Sequence, residues 1–117
     1  MWRFWRATIN SRNGLAFAVR SEQAIREELV ALVLAVPLAW LIGVTVMRSF
    51  QLVAVVALVL MVELINTAIE KLSDRLTTDH DPQIGQVKDM GSAAVGVALA
   101  VAGLFWLFAI AERMGLI

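Results

Sequence analysis

Residues 52–70 read LVAVVALVLMVELINTAIE, an apolar run that contains one acid, Glu63, and ends on a second, Glu70. A charged side chain inside a bilayer is costly, so an acid within such a run indicates a functional site. On an α-helix seven residues make almost two turns, so Glu63 and Glu70 share one face, about 10.5 Å apart along the axis. Three further polar side chains fall on or near that face: Asn66, Thr67 and Asp74. The sequence therefore predicts a helix with one polar stripe.

The composition of the whole chain is typical of a membrane protein. Of the 117 residues, 60% are hydrophobic and 17% are charged, which is too apolar for a small soluble domain. Cysteine is absent, which excludes disulfides and thiolate metal sites. Three stretches are long enough to cross the ~30 Å hydrocarbon core as helices: 29–47, 49–69 and 90–111. We predict an all-α membrane protein with three transmembrane helices, in which residues 1–117 form a single domain.

Most of the charge lies in two segments outside the predicted spans. Residues 1–28 mix aromatic side chains with arginines and predict an interfacial amphipathic helix and a charged lead-in. A frayed tail is the alternative for its first part. Residues 71–89 predict a cytoplasmic connection between the second and third spans, in which 77–86 is the only real loop. Because basic residues gather in both segments, the positive-inside rule predicts that the N-terminus and this loop lie in the cytoplasm. A short turn is predicted around 43–51, and residues 48–51 and the C-terminus are expected on the other side.

One subunit has too few helices to enclose the polar stripe, so Glu63 needs cover from elsewhere. A homo-oligomer that buries these faces together is the economical solution. Three glycines give the last span a small-residue surface for close helix contact: Gly91, Gly96 and Gly103. The number of helices and the buried acid therefore predict an oligomer without fixing its size.

Acidic side chains gather in the part of the chain that is predicted to lie at the cytoplasmic side. They are Glu22, Glu63, Glu70, Asp74, Asp79, Asp81 and Asp89. Carboxylates suit Mg²⁺, which prefers oxygen ligands and often completes its shell with substrate phosphates. A lysine nearby, Lys88, can act on phosphate as a point charge. The usual nucleotide motifs are absent. Composition and spacing therefore leave two classes open: a metal-dependent enzyme with a lipid substrate, and a proton- or cation-coupled transporter.

Each candidate residue also has a purely structural interpretation. Glu63 is alternatively a neutral buried acid that is hydrogen-bonded to Asn66. Glu70 is alternatively a solvated residue near a helix end, and Glu22 a charge at a helix start. Interfacial anchoring or loop formation is the alternative for the remaining candidates: Lys88, Asp89, Asp79, His80 and Asp81.

Three motifs resemble those of the prokaryotic diacylglycerol kinase family. They are E-x-x-N-x-x-x-E at 63–70, K-D-M-G-S-A-A-V at 88–95 and S-E-Q-A-I-R-E-E at 21–28. The likeness covers nearly the whole chain, and the ending G-S-A-A-V is more similar to the diacylglycerol branch than to the undecaprenol kinase branch. The resemblance implies a homotrimer in the bacterial inner membrane, with an interfacial N-terminal helix. It also implies transfer of the γ-phosphoryl group of ATP to diacylglycerol, which gives phosphatidic acid.

The resemblance implies roles for individual residues as well. Glu63 matches the family's catalytic base, and Glu22 and Glu70 match the carboxylates that hold Mg²⁺ on ATP. Other positions expected at the nucleotide are Asn10, Asp79, His80, Asp81, Lys88 and Asp89. Positions expected near the lipid or the catalytic centre are Arg3, Asn66 and Ser92. Asn10 departs from the tyrosine of the best-known members, and loop 77–87 is divergent. A polyprenol kinase is the alternative within the family, and an ion-coupled transporter subunit is the alternative from another class.

Overall fold

The protein consists of four helices joined by short turns. The computed structural model describes all of residues 1–117. The helices are α1 (Trp2–Ser21), α2 (Gln23–Ile42), α3 (Val46–Leu76) and α4 (Pro82–Arg113). The long helix α3 packs along both α2 and α4, whereas α1 meets the bundle mainly at α2. The predicted all-α class is therefore confirmed, and α3 is the central helix of the fold.

Two of the helices, α3 and α4, are each long and apolar enough to cross a membrane. The 20-residue helix α2 carries three charged side chains near its start, Arg26, Glu27 and Glu28, and only its segment 29–42 is continuously uncharged. By length and composition the structure therefore shows two candidate spans, where the sequence predicted three. The crossing by α2 stays a prediction.

The turn between α2 and α3 occupies only the first part of the turn region predicted around 43–51. The first predicted span, 29–47, is not one helix, because α2 ends at Ile42 and the chain turns at residues 43–45. The predicted turn at 48–51 is instead helical. Thr45 accounts for the early start of α3, since its Oγ1 accepts a hydrogen bond from the backbone N–H of Arg48 at 3.0 Å. Arg48 is consequently a residue of the first turn of α3.

The predicted connection 71–89 is mostly helical, and only residues 77–81, the first half of the predicted loop 77–86, connect α3 to α4. Asp81 fixes the start of α4, because its Oδ1 accepts hydrogen bonds from two backbone amides of the first turn, at 2.9 and 3.3 Å. Pro82 follows at the first helical position, which needs no amide hydrogen. The lysines and acids of this region are therefore carried mainly by two rigid helices.

Much of the apolar surface of the isolated chain is exposed. Only 16 of the 117 residues are buried, and side chains as large as Trp40, Phe50 and Leu104 are each more than half exposed. Exposed apolar surface on this scale marks contact with lipid or with another subunit. The surface is therefore that of a membrane protein, in agreement with the composition.

Arg48 and Glu112 join α3 to α4 at the end of the bundle opposite the last turns of α3. Arg48 Nε donates to Glu112 Oε1 at 2.9 Å, and Arg48 Nη1 donates to Gln51 Oε1 at 2.7 Å. The guanidinium group also lies 4.6 Å from the centre of the Phe108 ring. These contacts explain how two charges are accommodated beside apolar helices.

Gly43 is required by the turn between α2 and α3. A Cβ at this position would lie 2.2 Å from Ser49 Oγ, 2.8 Å from Ser49 N and 2.9 Å from Ala39 O. Because Ser49 is buried and two of these atoms belong to the backbone, the overlap has no easy relief. We expect Gly43→Ala to lower the midpoint of thermal unfolding by roughly 5 °C or more.

Gly85→Ala is the matched control for this thermal measurement. A Cβ at Gly85 meets no atom within 4 Å, and alanine is the better helix former. An equal loss of thermal stability in the two variants would contradict the role assigned to Gly43.

Candidate active site

Four carboxylates interact electrostatically where the polar stripe of α3 meets the start of α2. Glu63 is partly buried, and the charges of three other acids act on its carboxylate, so these groups lie within electrostatic range of it. We call this set the carboxylate cluster: Glu22, Glu28, Glu63 and Glu70. The structure thus brings together the three acids to which the sequence assigned catalysis and metal binding, and it adds a fourth.

The bend between α1 and α2 positions Glu22. This residue has extended backbone geometry, with φ −128° and ψ 120°, between the two helices. Arg26 stabilises the bend, because its Nη1 donates to the carbonyl oxygens of Val19 at 2.8 Å and Arg20 at 3.3 Å. The Glu22 carboxylate forms an ion pair with Lys71, with 2.8 Å between Nζ and Oε1. Three helices therefore meet at the Glu22–Lys71 pair.

Lys71 is a residue of the site that the sequence analysis did not select. Its Nζ also lies 5.2 Å from the centre of the Phe17 ring of α1, within the range of a cation–π interaction. It is the only basic side chain that forms an ion pair with the carboxylate cluster. Its position directly after Glu70, at the end of the polar stripe, is the feature of the sequence that could have identified Lys71.

Glu28 was also missed. It lies just before the uncharged segment of α2, and partial burial, together with the charge of Glu27, raises the pKa of the Glu28 carboxyl. Its position as the last acid before an apolar run was the signal that could have identified it.

Asn66 links the carboxylate cluster to α4. Its Nδ2 donates to Glu70 Oε1 at 3.0 Å, so the hydrogen bond that one structural alternative assigned to Glu63 goes to Glu70 instead. Asn66 is buried, and its Oδ1 has no hydrogen-bond partner although such groups normally do. Gly91 of α4 packs directly against this oxygen, because a Cβ at Gly91 would lie 2.2 Å from it. The close approach of α3 and α4 therefore holds Asn66 against Glu70.

Lys88 and Asp74 form an ion pair between α4 and α3. Asp74 lies one turn beyond Glu70 on α3, so this pair stands next to the carboxylate cluster. Asp89 and Ser92 are exposed on α4, and their side chains form no hydrogen bond or ion pair. Of the predicted nucleotide contacts outside the cluster, Lys88 is thus the one that an ion pair joins to α3.

The other predicted positions have no hydrogen bond or ion pair to the carboxylate cluster. They are Arg3 and Asn10, exposed on α1, Asp79 and His80, exposed between α3 and α4, and Asp81, the capping residue of α4. No three acidic or histidine side chains converge to hold a metal ion on their own. The oxygen donors of the cluster do fit Mg²⁺ that is bound by one or two carboxylates and completes its shell with phosphates.

Comparison with known proteins finds relatives along nearly the entire chain. Residues 9–110 match the family described as prokaryotic diacylglycerol kinase. The diacylglycerol kinase of Escherichia coli K12 is 38% identical over 113 residues, which cover 97% of this chain and 93% of that protein. The diacylglycerol kinase of Pseudomonas aeruginosa is 39% identical over 104 residues, 89% of this chain and 85% of that protein. The diacylglycerol kinase of Haemophilus influenzae is 35% identical over 100 residues, 86% of this chain and 85% of that protein.

Proposed function

Since the chain belongs to the prokaryotic diacylglycerol kinase family, we propose that the carboxylate cluster is its active site and that Glu63 is the general base. The protein is a diacylglycerol kinase, which uses ATP to phosphorylate diacylglycerol. The observation that carries the proposal is that Glu22, Glu28 and Glu70 lie within electrostatic range of Glu63, near the end of the apolar part of α3. Such a site can meet a lipid from the bilayer and a nucleotide from water.

Glu63 is the acid best placed to act on a lipid hydroxyl. It lies about two turns deeper in the apolar helix than Glu70 and is partly buried. Its carboxylate accepts the hydroxyl proton while the hydroxyl oxygen forms a bond to the γ-phosphorus of ATP. The bond from that phosphorus to the β–γ bridging oxygen breaks, and ADP leaves with its electrons. A positioned general base typically contributes about 10²- to 10⁴-fold to the rate.

Glu22 and Glu70 are the residues that would hold Mg²⁺ on ATP. Phosphoryl transfer depends mainly on positioning and on neutralising charge, and the bound ion would supply that neutralisation. Asn66 orients Glu70 through the 3.0 Å hydrogen bond. Lys88, held beside the cluster by Asp74, is placed to offset charge that develops on the phosphates.

The remaining contacts are proposed from the family likeness of this sequence. The further positions proposed at the nucleotide are Asn10, Asp79, His80, Asp81 and Asp89. The positions proposed at the lipid or the catalytic centre, besides Glu63, are Arg3, Asn66 and Ser92. Arg3 and Asn10 both lie on α1, which the aromatic and basic pattern places at the membrane interface.

We propose a homotrimer in the bacterial inner membrane, with α2, α3 and α4 as the spans and the N-terminus in the cytoplasm. Three features support this arrangement. The apolar surface of the isolated chain is largely exposed, and Glu63 is only partly covered by its own subunit. Basic residues also gather in the segments that would face the cytoplasm. Subunits that share the site would complete the cover over Glu63.

The substrate assignment is tested with purified protein and radiolabelled Mg·ATP in micelles that contain either diacylglycerol or undecaprenol. We expect label in phosphatidic acid. Label in undecaprenyl phosphate alone would identify a polyprenol kinase. Ion flux through vesicles without ATP consumption would identify a transporter and overturn the proposed function.

Glu70→Ala is expected to raise the Mg²⁺ concentration for half-maximal activity by about tenfold, because one proposed carboxylate ligand is lost. The measurement is a Mg²⁺ titration of lipid phosphorylation at saturating ATP. Glu27→Ala is the matched control, since Glu27 is an exposed acid outside the carboxylate cluster. A titration curve for Glu70→Ala that overlays the unmodified protein would reject the ligand role.

A further inference from the structure

Lys71 forms an ion pair with Glu22, which is one of the two carboxylates proposed to bind the metal ion. Its Nζ lies 2.8 Å from Glu22 Oε1, and the same ammonium group rests against the Phe17 ring. Both members of the ion pair are partly exposed, with relative side-chain exposures of 41% for Lys71 and 34% for Glu22. The lysine is thus held at the site by two contacts while water can still reach it.

An ammonium group and a divalent cation compete for the same carboxylate oxygen. A metal ion binds Glu22 less favourably while one carboxylate oxygen is paired with Lys71, because the two cations repel each other. Lys71 offsets part of the negative charge of Glu22, which is one of the charges that act on Glu63. The arrangement therefore suits a site in which one cation leaves Glu22 when another arrives.

We propose that Lys71 is a place-holding cation, which keeps Glu22 ordered before Mg·ATP binds and moves to a phosphate oxygen when it does. This proposal rests on the proposed function, because it takes Glu22 as a metal ligand. A lysine has three donors on a flexible stem, so its ammonium can exchange a carboxylate oxygen for a nearby phosphate oxygen. Lys71 is then a nucleotide-binding residue of this chain, additional to Lys88.

The test is the binding of Mn²⁺ alone to full-length protein, measured from the signal of the free ion by electron paramagnetic resonance. We expect Lys71→Met to bind Mn²⁺ about two- to fivefold more tightly, the factor expected when a partly exposed ion pair no longer competes. We expect the same variant to bind the Mg²⁺ complex of the β,γ-imido analogue of ATP more weakly by a similar factor. The two affinities should therefore change in opposite directions.

Two control variants distinguish loss of the Glu22–Lys71 ion pair from the general effect of removing a positive charge. Arg75→Met removes a positive charge one turn further along α3, and Arg75 forms no ion pair, so its effect on Mn²⁺ affinity should be smaller. Lys71→Arg keeps the charge and should bind Mn²⁺ close to the unmodified value. If Lys71→Met leaves Mn²⁺ affinity unchanged or weakens it, the place-holding role is wrong. If binding of the nucleotide analogue is unchanged, the transfer to phosphate is wrong.

Glu22→Gln distinguishes failure of this proposal from failure of the proposed function. If Glu22→Gln binds Mn²⁺ as the unmodified protein does, Glu22 is not a metal ligand and the proposed metal site is wrong. If Glu22→Gln weakens Mn²⁺ binding but Lys71→Met does not tighten it, only the role of Lys71 is wrong. Thermal unfolding of each variant establishes that the binding data come from folded protein.

Discussion

Glu63→Gln is expected to lower the turnover of diacylglycerol by about 10³-fold, within the range for loss of a general base. The amide has nearly the same shape as the carboxylate, but it cannot accept the hydroxyl proton. Because Glu63 lies deeper than the proposed metal ligands, nucleotide affinity and the fold should be largely retained. The effect should therefore appear in kcat, with little change in KM for ATP, when transfer of radiolabel to lipid is measured.

Glu27→Gln is the control for this substitution. It makes the same chemical change at an exposed acid near the cluster and should leave turnover almost unaffected. Affinity for the ATP analogue and the midpoint of thermal unfolding show whether the Glu63→Gln variant is folded and binds nucleotide. Normal lipid phosphorylation by an intact Glu63→Gln variant would refute the assignment of the base.

Gly91→Ala is expected to lower activity by about 10²-fold, the cost of a small displacement of catalytic groups. The added methyl group would overlap Asn66 Oδ1, and Asn66 is buried, so the amide must shift together with α4. Either shift breaks the 3.0 Å hydrogen bond that orients Glu70. The measurements are kcat, the Mg²⁺ titration and the midpoint of thermal unfolding.

A double substitution separates the steric effect from the loss of the hydrogen bond. Asn66→Ala combined with Gly91→Ala removes the overlap, so thermal stability should recover relative to Gly91→Ala alone. Activity should stay low, because Glu70 has still lost its partner. Gly85→Ala again serves as the control on α4, and full activity of Gly91→Ala would contradict the proposed link between the helix contact and Glu70.

The central part of the fold could be predicted because it depends on local sequence. The spacing of Glu63, Asn66 and Glu70 places them on one face of any uninterrupted helix, and the structure contains that helix. A turn is predicted around 43–51, but its exact position at 43–45 could not be predicted from hydropathy, since the apolar residues continue through it to Met47. The position of that turn depends on the close packing at Gly43 and on the cap formed by Thr45, which composition does not reveal.

The acidic residues of the site could be identified from the sequence, but the side chains that form ion pairs or hydrogen bonds with them could not. The Glu22–Lys71 pair joins residues that are far apart in the chain, and it exists only because the bend at Glu22 brings α2 against α3. Similarly, the sequence placed Asn66 near both acids without showing which one receives its hydrogen bond. The contact between Asn66 and Gly91 depends on how α3 packs against α4. The same Asn66 side chain donates the hydrogen bond to Glu70.

The most direct test of the central claim is the distance from a Glu63 carboxylate oxygen to the hydroxyl oxygen of bound diacylglycerol. It can be measured in a crystal structure of the protein with Mg²⁺ and a non-hydrolysable ATP analogue. We predict about 2.6–3.2 Å, the range over which a general base can accept a proton. A Glu63 side chain that points into the acyl chains, out of reach of both the hydroxyl group and the terminal phosphate, would contradict the proposed mechanism.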